Sequence, residues 1–526
     1  MMKKSKLHPL FLAISVLVSP AVLANPSTWQ HANGTTVVDI NTADANGLSH
    51  NIWKEFNVDS NGMVLNNSTA DLLRENGNIA KNPHLAASAK VILNEVISTK
   101  ASQLQGALEV AGQTADVIIA NPNGITCTGC SFINTSRTTL TTGTPVMTDG
   151  MLTGFNVKGG TVTASGLKNA QSYTDILAQT IKISGQLETG SLKAIAGKYK
   201  YDRSTGAAVS DGTRGSGVGI DISELGGVTA GVIQLQTTQA GSGVNNMGIL
   251  SADTLQISSN GILSNDGTLR AQTLRASSAD TMTNNGELKG TNIQLASLKA
   301  FSNSGFVDAS GALAATSASH ITNKGTMKGG SVNQLISYAG NITNTGTLAS
   351  AGKVNLMSGF APDKNGALAA YANTSVMNSG LGIIRGDGGV TIQAAKEVSL
   401  TSGWLSSQGQ VYLSAKSVDN RVNVDGRDLI VYSNNFSNQG TMKASNQLTA
   451  TGVSSMTNTG LLKGDVVTLN TNGKLTTQTC SFFVFCSNSR LSAGSKLRIN
   501  AASIENISDI GGKVTAPEIE LNISGS

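Results

Sequence analysis

The sequence predicts an all-β protein, a right-handed parallel β-helix. Three observations carry that expectation: a unit of about twenty residues recurs along the chain, its apolar positions are spaced by two, and helical periodicity is almost absent. Composition agrees. Charged residues make up 13% of the chain, about half the usual globular share, while 59 of its 526 residues are Gly. Ser, Thr and Asn therefore supply the polar surface, which suits stacked strands better than helices.

The first element is a secretory signal peptide, residues 1–24. Lys3, Lys4 and Lys6 precede an apolar run from Leu10 to Val18, and Val22-Leu23-Ala24 offers a small-residue cleavage site before Asn25. The run is too short to span a bilayer as a helix. Cleavage leaves 34 basic residues against 32 acidic, because three of the 37 lie in the signal. That balance, scattered single Lys and Arg, and 4% aromatic residues exclude a basic nucleic-acid-binding stripe.

The second element, residues 25–240, repeats irregularly. Its most informative stretch is ANPNGITCTGCSFINTSR, Ala120 to Arg137. Pro122 fixes its own φ and removes a donor, and Asn123-Gly124 tolerates positive φ, so the chain is expected to reverse there between ADVIIA and SFIN. Residues 197–217 are polar and turn-rich and read as a long exposed hairpin or loop. Three of the eight prolines, Pro83, Pro122 and Pro145, fall between Asn82 and Pro145, consistent with turns and hairpins decorating the first coils.

Together with GLSHN (Gly47 to Asn51), ILNEV (Ile92 to Val96) and NPHL (Asn82 to Leu85), that stretch resembles the secretion domain of two-partner-secretion exoproteins. The family includes filamentous haemagglutinin, contact-dependent inhibition proteins and pore-forming haemolysins. The CxxC directly after NPNGI is most similar to the haemolysin branch. His84 departs from the pattern, standing where many relatives carry Asn. The resemblance implies export through a cognate outer-membrane barrel transporter with periplasmic recognition domains, and a destination outside a Gram-negative cell or on its surface. It assigns recognition to Asn121, Pro122, Asn123, Gly124 and Ile125, and to Asn82, Pro83 and Leu85. It further implies a haemagglutinin- or haemolysin-like adhesin or virulence factor facing a host or neighbouring cell, with a short or truncated haemolysin as the alternative.

The third element, residues 241–526, is the β-solenoid repeat. Aligned on Gly248, Gly267, Gly286, Gly305, Gly325, Gly346, Gly380, Gly440 and Gly460, the unit is apolar-x-Asn-x-Gly-x-apolar, and Gly380 alone lacks the second apolar residue. The Gly spacings are 19, 19, 19, 20, 21, 34, 60 and 20; the 34 reads as a rung plus a loop around Pro362 and Gly366, and the 60 as about three degenerate rungs. Stacking such coils pairs every strand edge and buries a continuous apolar stripe. Asn and Gly are expected at a corner of positive φ. Asn246, Asn265, Asn284, Asn303, Asn323 and Asn344 stand in equivalent places and form either an amide ladder or a row of solvent-facing turn residues. Roughly 25 coils would give a rod on the order of 120 Å.

Cys127 and Cys130 enclose Thr128-Gly129, and in an exported protein a structural disulfide is expected. A thioredoxin-like role would need a helix after the first Cys, and zinc would need two more ligands. Cys480 and Cys486 enclose SFFVF, read as a buried strand, with a disulfide-stapled loop as the alternative. Neither metal nor cofactor is expected. Parallel β-helices also cleave polysaccharides, but Asp211, Asp221 and Glu224 are the nearest approach to a carboxylate cluster, and solvated loop charge accounts for them better. The chain is therefore expected not to be an enzyme.

Overall fold

The computed structural model describes residues 25–74, 77–215, 217–477, 480–481, 485–486, 490–505 and 513–525. Residues 1–24, expected as a signal peptide, lie outside them. Among the described residues there is no helix, and the strands coil into a β-solenoid of about 20 turns.

One rung shows how sequence makes the fold. Phe301–Asn303, Phe306–Ala309 and Ala312–Ser317 are three strands separated by two-residue corners, so the rung is a triangle. We call its sides the asparagine face, the middle face and the broad face. The next rung, Ile321–Asn323, Thr326–Gly329 and Val332–Ser337, pairs with it parallel and in strict register: Phe301 on Ile321, Val307 on Met327, Leu313 on Asn333. Alternation within each strand turns Phe301, Val307, Ala309, Leu313 and Ala315 inward, all 1% exposed or less. Each such large side chain contributes roughly 1.5–3 kcal/mol when fully buried.

The asparagines stack as a ladder. Asn246 Nδ2 donates to Asn265 Oδ1 at 2.7 Å, and the pattern continues through Asn284, Asn303, Asn323 and Asn344 to Asn378 at 2.7 to 2.8 Å. The second N–H of each turns to the carbonyl of the corner glycine two residues on, as from Asn303 to Gly305 at 3.2 Å. All these asparagines are buried.

The corner glycines serve a different purpose from the one expected. Their φ is not positive, Gly380 excepted at 60°. A Cβ on Gly325 would lie 2.0 Å from the carbonyl oxygen of Gly305, and one on Gly346 2.0 Å from that of Gly325. Close stacking of corner on corner excludes a side chain there. At Gly380 the corner carries two extra residues, so Asn378 donates to Gly382 and the inward apolar residue becomes Ile384, while Leu381 is 87% exposed. This explains the one missing apolar residue.

The 34-residue step is a single rung bearing a hairpin, Phe360–Pro362 paired with Leu368–Ala370. Within the 60-residue gap the ladder position is held by Leu400 and then Asn420, which donates to Asn438 at 2.7 Å. Hairpins of this kind consume residues without adding rungs, so the coils number about 20 and not 25. The rod is correspondingly on the order of 100 Å. Cys480–Ser481 and Phe485–Cys486 pair antiparallel as a separate two-stranded ribbon, not as a strand of the stack, and the side chains of 480–486 lie outside the described residues.

Replacing Asn303 by Ala removes a donor to Asn323 and the acceptor for Asn284, leaving both buried amides short of a partner. Asn303→Ala is expected to cost about 1–3 kcal/mol in denaturant unfolding. Ser302→Ala, on the outward side of the same strand, should stay within about 0.5 kcal/mol.

Candidate functional site

The two Asn-Pro turns share one design. Asn121 ends the broad-face strand Ala115–Ala120 and is buried. Its Nδ2 donates to Lys100 O and Ser102 Oγ, both at 2.9 Å, while its Oδ1 accepts the Asn123 N–H at 3.0 Å. Gly124 N–H closes the turn onto Asn121 O at 3.1 Å. Of the Asn123-Gly124 pair only Gly124 takes positive φ, 118°, and a Cβ there would meet Thr161 O at 3.0 Å. Pro122 is half-buried, Asn123 exposed and Ile125 in the core.

At the second turn, Asn82 Nδ2 donates to Ile40 O at 3.0 Å and Asn66 O at 2.8 Å, and its Oδ1 accepts the His84 N–H at 2.9 Å. Leu85 N–H closes onto Asn82 O at 3.3 Å, and Leu85 packs against the core. Pro83 and His84 face solvent. His84 occupies the place of Asn123: both give their backbone N–H to the first asparagine of the turn, but Asn123 Nδ2 also donates to Asn121 Oδ1 and Ser98 O, whereas His84 Nε2 lies 3.2 Å from Ser27 Oγ.

Both turns border the broad face of the first rungs, and a second layer covers that face. Thr144–Thr148, Met151–Val157, Tyr199–Asp202 and Ala208–Ser210 form a four-stranded antiparallel sheet. Phe155, Val157, Tyr199 and Tyr201 pack on Leu48, Leu93, Ile118, Leu177 and Ile195. The stretch expected as an exposed hairpin is thus a hairpin seated by two buried tyrosines, and its YKY alternation was the signal for that. Tyr199 Oη donates to Ile195 O at 2.8 Å, and burial drives its pKa well above the ordinary range. Burial likewise raises Tyr201 to about 12.

Charges pin the layer. Arg203 Nη2 lies 2.6 Å from Asp116 Oδ2, and Asp116 Oδ1 accepts from Ser136 Oγ at 2.8 Å. Asp175 beneath the sheet is buried, with Arg137 at 3.8 Å. Desolvation outweighs Arg137 and Lys193, so its pKa is raised. His50 of the GLSHN motif pairs with Glu95 of ILNEV at 2.7 Å, half-buried.

Cys127 and Cys130 form a disulfide across the corner between the asparagine and middle faces, both sulfurs buried and Thr128-Gly129 outside. Asp211 and Asp221 are not brought together for chemistry: Asp211 caps its own turn at Thr213, and Asp221 accepts from Asn245 at 2.8 Å. Sequence reading missed the inward serines Ser278, Ser337 and Ser358 at the end of the broad face. They cap corner carbonyls, as Ser278 Oγ does at Gly261 O, 2.7 Å. Their spacing of about a rung was the available signal.

A parallel β-helix whose first strand pair is antiparallel, Ser27–Gln30 on Thr36–Asp39, and whose first rungs carry an extra sheet beside paired Asn-Pro turns, defines a solenoid with a specialised N-terminal cap. The profile of the TPS secretion domain matches residues 19–296, more than half of the chain, and the protein belongs to that family. Toxin CdiA of Yersinia pestis is 39% identical over 250 residues, 46% of this chain and 8% of that protein. The 16S rRNA endonuclease CdiA of Enterobacter cloacae is 41% identical over 255 residues, 47% and 8% respectively. Hemolysin of Serratia marcescens is 38% identical over 258 residues, 45% of this chain and 16% of that protein. The matched part thus spans between 8% and 16% of these relatives' length. The crystal structure of a filamentous hemagglutinin secretion domain, 30% identical, covers 54% of this chain and 93% of its own, with a TM-score of 0.44.

A raised Asp175 pKa means that the folded state holds its proton where the unfolded chain has released it. Stability is therefore lost as pH rises from 3.8 through the raised value, and the penalty persists above it. Asp175→Asn is expected to raise the unfolding midpoint at pH 7 and to leave it nearly unchanged at pH 3, measured by thermal denaturation.

Proposed function

We propose that this chain is a secreted exoprotein that reaches the cell surface through a cognate outer-membrane barrel transporter and acts there as an adhesin. In this reading residues 1–24 direct the chain to the periplasm, residues 25–240 carry the transporter signal and residues 241–526 form the adhesive shaft. One observation carries the proposal: in the two Asn-Pro turns of the family-matched region the side chains of Asn82 and Asn121 each accept the N–H two residues on and spend their amide protons inside the fold.

Those amides are free only in the unfolded chain. A periplasmic recognition domain can then pair with Asn121 and Asn82 before export, and rung formation outside withdraws them from it. Folding gives direction, since a formed rung cannot re-enter a pore and offers the next strand a paired edge. After folding, Pro122, Asn123, Pro83 and His84 remain on the surface.

Co-expression with a candidate transporter, followed by assay of the medium, tests this. Asn123→Ala loses contacts at an exposed position, including one to Ser98 O, and its purified form should fold. It is expected to reduce secretion while leaving the melting temperature within a few degrees. Unimpaired export of an Asn121→Ala/Asn123→Ala variant would remove the recognition role. Red-cell binding without lysis is the expected activity of the secreted chain, and lysis would replace the adhesin reading with a cytolytic one.

A further inference from the structure

The cations that look scattered in the sequence fall into line in the fold. Because 19 to 22 residues make most rungs, Arg270, Lys289, Lys328, Arg385, Lys443 and Lys463 occupy one outward column of the middle face, in register through the pairings of successive strands. All six are exposed. Arg270 stacks directly on Lys289, and Lys443 directly on Lys463, one rung apart at about 4.8 Å. Like charges directly opposite in a sheet are destabilising. Arg270 and Arg385 have carboxylate partners in Glu287 and Asp387. Lys289, Lys328, Lys443 and Lys463 have no ion pair within 4.0 Å among the described residues. Over the same rungs the matching outward column of the asparagine face carries no cation: Ser264, Thr283, Ser302, Thr322 and Thr343 are neutral, and further on the column holds one carboxylate, Asp419.

The middle face is two outward side chains wide. Beside the cations runs a column that includes Phe306, Thr326, Thr347, Trp404 and Thr441, in which Phe306 is 37% and Trp404 38% exposed. Arg427 and Ser445 join Lys443 and Lys463 around one open groove. We infer that this strip binds a linear polysaccharide bearing carboxylate or sulfate groups, laid along the shaft. The cations meet its charges, the aromatic rings meet sugar faces, and the threonines meet hydroxyls. Asp308 and Asp425 interrupt the column. A glycan with charges spaced along its chain passes over them, whereas a continuous phosphate backbone would meet both. Strip width favours a single chain over a duplex.

The inference rests on the adhesive reading of the shaft and names the chemistry it would hold. Purified chain, needing no transporter, is tested against immobilised chondroitin sulfate and polygalacturonate, with dextran and duplex DNA as comparisons. Binding to the two anionic glycans, weakened by salt, and none to dextran is expected. Lys443→Ser/Lys463→Ser should weaken it about tenfold or more. Arg275→Ser, on the broad face, should not change it. The double variant should melt no lower than the wild type, since it removes a repulsion, so lost binding cannot be put down to lost fold. Equal affinity of the double variant, absence of glycan binding, or duplex DNA bound as tightly through the same lysines would overturn the inference. Glycan binding without cell adherence would instead count against the adhesive reading and leave the site standing.

Discussion

Everything in this molecule depends on one constraint, the strict parallel register that sets each residue on its counterpart one rung away. Register turns a local preference into a column. An inward Leu becomes a continuous core, an Asn becomes an amide ladder, and a Gly becomes the place where two corner backbones approach to within a side chain's width. The same constraint makes errors expensive, because a misplaced polar group meets two neighbours. Asn333 illustrates this: it interrupts the apolar column between Leu313 and Val354, and its Nδ2 is satisfied by Met327 O and Ala349 O while its Oδ1 is left without a partner.

The repeat was legible because its period is nearly constant and its apolar residues alternate, so the rungs and core between Val244 and Met456 can be read from the chain alone. What could not be read was whatever the period itself conceals. Asn420 escaped the alignment because Val422 stands where the corner Gly should be, although the ladder contact to Asn438 is unaffected. The reason for the glycines was also hidden: a rule about φ concerns one residue, whereas the close approach of Gly325 to Gly305 arises between rungs. Rung number was overestimated because hairpins such as Phe360–Pro362 with Leu368–Ala370 have strand-like composition and lie outside the stack. Singly placed Lys and Arg gave no signal in one dimension, and only register collects them on a face.

At the N-terminal end the Asn-Pro motifs were legible as turns because Pro and Gly constrain the backbone locally. Their inward side-chain bonding was not, since the partners lie far along the chain: Asn82 reaches Ile40 and Asn66, and Asn121 reaches Lys100 and Ser102. Nor could the covering sheet be read, because Phe155 and Tyr199 meet only after the coil between them has formed. These contacts are the non-local part of an otherwise local architecture, and they form late if folding follows the order of the chain.

The ladder has a polarity that follows from amide chemistry. Each Asn donates toward the later rung and accepts from the earlier one, so an isolated ladder ends with one unused acceptor and one donor that must find another partner. At the early end Ile222 stacks on Asn246, offers no N–H, and leaves Asn246 Oδ1 buried without a partner. At the later end Asn378 gives its protons to Gly382 and Ser402 carbonyls, and Leu400 takes the next place. The cost of the unused acceptor is met once, while each interior step is satisfied on both sides, so a long run of asparagines is favoured over several short ones. Arrival of each new rung supplies the acceptor for the last Asn amide. Growth in chain order therefore satisfies the existing end at every step, which is the behaviour required of a rod that assembles as it emerges.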